Sequence, residues 1–304
     1  MFTHPFSAGP SARLSDSFIS GKSLAPFTSW RIGGPAEWYV APGSESEIQQ
    51  ILKLTQTQGI PLTILGGGSN VLISDQGLPG LVMHITHRFA DFAFLPDGRV
   101  RAQAGVRLGT LIKKAISMEL SGIEQLWGIP GTVGGAVTMN AGACQTEFFD
   151  VVESITSLTP SGQKVVRRRD QIQHGYRWSD YKFNAEIVLE ATIRLQPAAA
   201  EAIQERFDAA DARRKPQHDI RQPNCGSVFR NPPGDYAGRL IEQLGAKGRV
   251  QGKVQVSPSH ANFIVNLGKA SAQDACQLIR NLQHEVWHKN QILLEPEAIF
   301  LGEF

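Results

Sequence analysis

The chain has 304 residues, 41% hydrophobic and 19% charged, with a formal net charge of +2. That length allows two or three domains with sizeable cores, and the near-neutral balance gives no global reason to expect nucleic acid as a partner. Residues 1–22 lack the apolar run of a secretory signal, and the uncharged stretch 125–146 is too rich in glycine for a membrane helix.

In chain order, 38–41 is strand-like and leads into Ser44-Glu45-Ser46-Glu47, a capping box. Ile48, Ile51, Leu52 and Leu54 then space an apolar helical stripe that ends at Gly59. With a strand at 61–65 this makes a β-α-β unit, and Gly66-Gly67-Gly68-Ser69-Asn70 follows at the carboxyl end of its second strand. Residues 71–75 read as a further strand. A second block opens with strands at 92–95 and 99–103 turned by Pro96-Asp97-Gly98, and a helix over 108–119 carries Leu108, Leu111, Ile112 and Ala115. After the second glycine loop, 128–136, come strands at 151–159, 164–168 and 186–195, the first two joined by Pro160-Ser161-Gly162. Pro197 opens a polar helix that Pro216 stops. Beyond it lie a helix over 235–244, a strand at 262–266, a helix over 271–289 and a last strand at 297–301.

Bunched glycines let the backbone take φ > 0 and turn successive N–H groups toward an anion, so the two loops suggest a diphosphate cofactor, with plain turns as the alternative. They do not fit the dinucleotide fingerprint, since Val71 stands where its third glycine belongs, and no P-loop occurs. His284-Glu285-Val286-Trp287-His288 matches a zinc motif. At helical spacing, however, both histidines fall opposite the face of Ala275, Leu278, Ile279, Leu282 and Val286, so no metal is expected. His4, His84 and His87 read as surface or satisfied core histidines. Cys144, Cys225 and Cys276 show no metal spacing and fit a reducing cytoplasm, and Cys225 reads as a buried thiol more readily than as a nucleophile. The basic run 164–169 reads as a solvated strand end, or second as an anionic-ligand rim. Asn224 to Pro232 offers a hydroxyl, a guanidinium and an amide suited to an anionic substrate, against a plain glycine turn. Gly175-Tyr176-Arg177-Trp178 sets an arginine among aromatics, against a surface cation–π contact.

Seven segments then occur in order: 28–35 (Thr-Ser-Trp-Arg-Ile-Gly-Gly-Pro), 66–70, 129–136, 175–177, 226–232, 259–263 (Ser-His-Ala-Asn-Phe) and 295–297 (Glu-Pro-Glu). Together they resemble the UDP-N-acetylenolpyruvoylglucosamine reductase (MurB) family, from about residue 25 to the C-terminus. The resemblance implies an α+β chain: a two-subdomain FAD-binding fold of the vanillyl-alcohol-oxidase-like type over 1–88 and 89–196, and an α+β substrate domain over 197–304. The last strand, about 297–304, is allowed to pack back on the FAD domain. The short passage from Arg177 to the strand at 186–195 looks like the family's short class, which lacks a substrate-capping loop. Trp30 and Arg230 depart from the commoner residues while keeping their chemical character.

The resemblance also implies FAD, NADPH as reductant and a UDP-sugar enolpyruvate as substrate. Since no His or Cys falls within 31–34, 66–70 or 129–136, FAD is expected to bind non-covalently, and the chain is expected in the cytoplasm with no nucleic acid, membrane insertion or obligate protein partner. By it, Arg177, Ser227 and Glu297 are catalytic. Arg31, Ile32, Gly33, Gly34, Gly66, Gly67, Gly68, Ser69, Asn70, Gly131, Thr132, Gly134, Gly135 and Ala136 hold FAD. Tyr176, Arg230, Asn231, His260 and Asn262 meet the UDP-sugar. The alternatives are an oxygen-using FAD oxidase of the same superfamily and a nucleotide-sugar-binding protein without catalysis.

Overall fold

A computed structural model describes residues 17–218 and 220–304, without the side chains of 215–218; His4 lies outside the described residues. Its contacts divide the chain into two units. The first holds Trp38–Gly67 and Gly80–Arg214, and the second holds Ser20–Glu37, Gly68–Pro79 and Lys215–Phe304.

In the first unit, the helix Glu45–Gln58 starts where the Ser44 hydroxyl accepts the Glu47 N–H at 3.2 Å and stops at Gly59, whose φ is +64°. It buries Ile48, Ile51 and Leu52. The strand after it, Leu62–Leu65, pairs in parallel with Leu78–His84, Leu65 standing opposite His84. The expected β-α-β pairing is thus mediated by a strand that sequence reading passed over. Leu78-Pro79-Gly80 looks like a turn, yet Gly80 (φ +72°) fits because a Cβ there would lie 2.3 Å from the Pro61 carbonyl oxygen.

The same unit contains a five-stranded antiparallel sheet, in the order Lys164–Arg168, Val152–Leu158, Ile187–Arg194, Arg99–Gln103, Phe92–Phe94. Its two expected turns form, with Gly98 and Gly162 at positive φ. The inward residues Val100, Ala102, Ile155, Ala191 and Ile193 pack in one core with Leu108, Leu111, Ile112 and Ala115 of the helix Leu108–Ser117. A short helix, Val133–Met139, was not expected, since Gly134 and Gly135 disfavour it. The polar helix also differs from expectation. Pro197 lies in a short strand beside Leu120–Ser121, and the helix spans Ala200–His218. Pro216 falls in its last turn, where its missing N–H costs a single bond instead of ending the helix.

The second unit is built on an antiparallel sheet in the order Asn224–Ser227, Phe263–Asn266, Val254–Val256, Val250–Gln251. The helices Ala237–Gln243 and Ala272–Asn290 place Leu240, Ile241, Leu278, Ile279 and Leu282 against Val254, Val256 and Ile264. The segment read as a strand at 71–75 spans Val71–Ile73, and the last strand, Ile299–Leu301, pairs with it in parallel.

Candidate active site

In the first unit Gly66 and Gly67, which open the first glycine loop, touch the second loop. A Cβ on Gly67 would lie 2.8 Å from the Gly131 Cα, and one on Gly66 would lie 3.1 Å from the Thr132 hydroxyl oxygen. The second loop is pinned by hydrogen bonds from Leu108 N–H to the Gly131 carbonyl (3.1 Å), from Val133 N–H to Val106 (2.8 Å) and from Gly134 N–H to Ala104 (2.9 Å). Gly134 is closed by protein, a Cβ there lying 2.9 Å from the Ala104 Cβ. Gly135 is open, its nearest neighbour being the Thr132 hydroxyl at 3.8 Å. Thr132 Oγ1 is buried and has no hydrogen-bond partner among the described residues, and the Gly67 N–H likewise meets no acceptor there. A buried hydroxyl and an amide left unpaired beside an open glycine suit a ligand rich in oxygen, such as a diphosphate. His84 stands beneath the first loop with both ring nitrogens engaged, by Tyr39 and by Gly66.

Arg177 and Tyr176 form the two-residue turn between His174–Gly175 and Trp178–Ser179. Arg177 has φ +64°, a conformation that costs a non-glycine residue energy. Its guanidinium lies 4.7 Å over the Tyr176 ring, so the cation–π contact weighed from sequence does exist. The turn is held from below by buried Asn140, whose Nδ2 donates to Glu147 (2.7 Å) and to the Gly175 carbonyl (3.1 Å). Sequence reading missed Asn140, although an asparagine in left-handed conformation just after a helix is a recognisable cap. It also missed Arg214. Burial makes the Arg214 guanidinium easier to deprotonate, opposed by Cys144 and aided to a smaller extent by the positive charge of Arg177. The Arg214 Nε has no partner among the described residues.

In the second unit, Arg31 (φ +53°) and Gly33 (φ +147°) shape the turn after buried Trp30. Ile32 turns its side chain into the core, so any cofactor contact it makes is through backbone. The glycine at 34 is required by protein, because a Cβ there would lie 2.2 Å from the Asp75 carbonyl oxygen. Gly68 (φ +62°) is similarly confined by the Phe27 carbonyl oxygen, at 1.9 Å from a Cβ. Ser29 bonds to this segment through its N–H to Gly68 and its hydroxyl to Ser69.

Ser227 and Glu297 are brought together. The Glu297 N–H donates to the carbonyl of Val228, the residue after Ser227, at 2.7 Å. Half-buried Ser227 has no hydrogen-bond partner for its hydroxyl among the described residues, and a Cβ on neighbouring Gly226 would meet nothing within 4 Å. Cys225 beside them is no nucleophile. Burial, and then the Glu297 charge, pushes its thiol far above the ordinary range.

Several residues expected at the UDP-sugar are occupied by the fold. Buried Asn262 clamps the Phe229 backbone with both ends of its amide, accepting its N–H (3.0 Å) and donating to its carbonyl (2.8 Å). Asn231 Oδ1 caps the Ala237 N–H at 3.1 Å. His260 Nδ1 accepts the Asn262 N–H, and burial lowers its pKa, so the ring is neutral and presents Nε2–H. The Arg230 Nη1 lies 3.9 Å from Glu295.

The H-E-x-x-H helix buries the face expected and leaves His284 and His288 exposed, with Glu285 held by Arg249. Among the described residues no group of three or more His, Cys, Asp or Glu could hold a metal, and no helix is long and apolar enough to cross a membrane.

Residues 36–167 match the model of an FAD binding domain, and 216–301 match that of the UDP-N-acetylenolpyruvoylglucosamine reductase C-terminal domain. Among curated proteins, the reductase of that name from Synechococcus sp. (strain JA-3-3Ab) is 44% identical, over 96% of this chain and 94% of its own. That from Caldicellulosiruptor saccharolyticus is 40% identical, over 96% and 94%. The crystal structure of the Thermus caldophilus reductase superposes with a TM-score of 0.82 at 33% identity, covering 94% of this chain and 98% of that one.

Proposed function

The chain belongs to the UDP-N-acetylenolpyruvoylglucosamine reductase family, and from that premise we propose that Arg177, Ser227 and Glu297 carry its reduction step. FAD is its cofactor and NADPH its reductant, and its reaction turns the enolpyruvyl group of UDP-N-acetylglucosamine enolpyruvate into the lactyl ether of UDP-N-acetylmuramate, a peptidoglycan precursor. Bound FAD, once reduced, supplies the hydride that adds to the methylene carbon C3 of the enol ether.

Negative charge then builds at C2 and spreads into the carboxylate. Arg177 meets that charge with a guanidinium that offers paired donors. Its strained turn and the Tyr176 ring hold it in place, so little reorganisation is needed when the charge develops. Arg214 adds a second positive charge. Ser227 gives its hydroxyl proton to C2, which completes addition across the double bond, and its oxygen recovers a proton from solvent. Glu297 serves as the carboxyl beside the enolate. The two glycine loops and the Arg31–Gly34 turn hold FAD, while Tyr176, Arg230, His260 and the amide nitrogen of Asn231 are assigned to the UDP-sugar. Asn262 is kept in that set through the second amide hydrogen that its bonds to Phe229 leave over. In the same proposal 1–88 and 89–196 serve FAD, 197–304 serves the substrate, and the enzyme works in the cytoplasm.

The observation that carries these roles is the unpartnered Ser227 hydroxyl beside open Gly226, tied through Val228 to Glu297. The test is an absorbance series. Yellow protein should bleach with NADPH without air, and recover its colour rapidly on adding the enolpyruvyl sugar but slowly in air. Rapid recovery in air with none from the sugar would identify an oxidase and refute the assignment.

A further inference from the structure

The buried imidazole of His84 belongs to no catalytic or substrate role, yet both its nitrogens are committed. The Tyr39 hydroxyl lies 2.8 Å from Nδ1, and Nε2 lies 3.1 Å from the carbonyl oxygen of Gly66. A carbonyl can only accept, so Nε2 carries the proton, Nδ1 is bare, and the Tyr39 hydroxyl donates to it. Every hydrogen in the relay is thereby assigned. Both residues are buried, each 7% exposed, and the rings meet edge to face.

The consequence reaches the first glycine loop through one peptide plane. In a trans peptide the C=O and the following N–H point in opposite directions. No described peptide is cis. With the Gly66 carbonyl anchored on His84, the Gly67 N–H must point away from the imidazole, and it meets no acceptor among the described residues. A glycine peptide held by no side chain of its own is free to flip, at little steric cost.

We propose that His84 is a positioning residue for the cofactor: its Nε2–H, fixed by Tyr39, holds the Gly66–Gly67 peptide so that the Gly67 N–H faces the FAD diphosphate. This rests on the reading that the glycine loops hold FAD. His84 itself touches no cofactor in this account.

The test measures FAD dissociation from the reconstituted holoenzyme and melting of the apoprotein. His84→Leu keeps an apolar filler and removes the donor, so FAD should bind about tenfold more weakly, the scale of a lost hydrogen bond that orders a charged ligand's donor. His84→Gln, whose amide nitrogen reaches the place of Nε2, should return affinity to within about twofold. Tyr39→Phe should fall between the two. Nitrogen NMR of the wild-type protein should show His84 as the Nε2–H tautomer with or without FAD.

Unchanged FAD affinity in His84→Leu, with loss confined to melting of the apoprotein, overturns the proposal, as does an Nδ1–H tautomer. If His84→Leu does not fold, the tautomer and His84→Gln decide. Gly135→Ala separates the two levels. If it also leaves FAD binding unchanged, the glycine-loop reading fails; if it weakens binding while His84→Leu does not, only the role of His84 fails.

Discussion

The side-chain amide of Asn70, in the first glycine loop, donates a hydrogen bond to the backbone carbonyl of Glu297, 3.0 Å away and 227 residues later in the chain. The Asn70 carbonyl in turn accepts the Ile299 N–H at 2.9 Å. A loop assigned to the cofactor therefore also sets the backbone that carries a proposed catalytic carboxyl. Asn70→Asp places a second acceptor against that carbonyl. It should lower stability by about 1–2 kcal/mol, the cost of a lost bond with repulsion added. Reoxidation by the enolpyruvyl sugar should slow more than reduction by NADPH. Stopped-flow measurement of both steps checks this, and a larger effect on reduction would contradict it.

Glycine substitutions should sort by what closes each site. At Gly67 and Gly134 a Cβ meets Gly131 and Ala104 within 2.9 Å, so Gly67→Val and Gly134→Val should damage the fold along with cofactor binding. At Gly135 the protein leaves room. Gly135→Ala should hold or raise apoprotein stability by up to about 1 kcal/mol through helix propensity, yet weaken FAD binding by blocking its approach. Calorimetry with and without FAD distinguishes these outcomes, and full FAD affinity in Gly135→Ala would remove that loop from the cofactor site.

The pH dependence of stability should carry the mark of His84. Burial, with a smaller contribution from His87, lowers its pKa from 6.5 to about 4. The unfolded chain therefore binds a proton near pH 6.5 that the folded chain refuses until about pH 4. Stability should be insensitive to this group above pH 6.5 and fall by up to about 3 kcal/mol as pH drops toward 4. His84→Gln should flatten that slope in urea titrations between pH 7 and 4. An unchanged slope would show that His84 titrates normally.

The histidines of the H-E-x-x-H helix should be idle in turnover. His284 and His288 are exposed and face each other, and Arg249 occupies Glu285. The double variant His284→Ala, His288→Ala should leave flavin reduction and turnover within about twofold of wild type. Stoichiometric zinc in protein purified without added metal, lost in the double variant together with activity, would reverse this.

Much of the fold was legible where one physical signal dominated. The stripe of Leu108, Leu111, Ile112 and Ala115 and the turns at Gly98 and Gly162 are local, and they formed as read. Leu78–His84 was illegible because Pro79 and Gly80 are turn residues, tolerated here by a close approach of Pro61. The helix Val133–Met139 defies its glycines because hydrogen bonds to Val106 and Ala104 hold its start. At the site, residue types could be read but not how their hydrogen bonds are spent. Asn262 reads as a substrate amide, and the structure adds that both ends of that amide fasten Phe229, while Arg214, a buried guanidinium, shows no motif in the sequence.

The central claim is that Ser227 donates the proton to substrate C2, and rapid mixing of the Ser227→Ala holoenzyme tests it most directly. NADPH reduction of FAD needs no such donor, so bleaching should proceed at a near-normal rate. Reoxidation by the enolpyruvyl sugar should fall by at least ~10²-fold, the usual scale for a lost general acid, and Ser227→Cys should recover part of it. Equal slowing of both steps would mean that Ser227 only shapes the turn at Gly226, and would contradict the account.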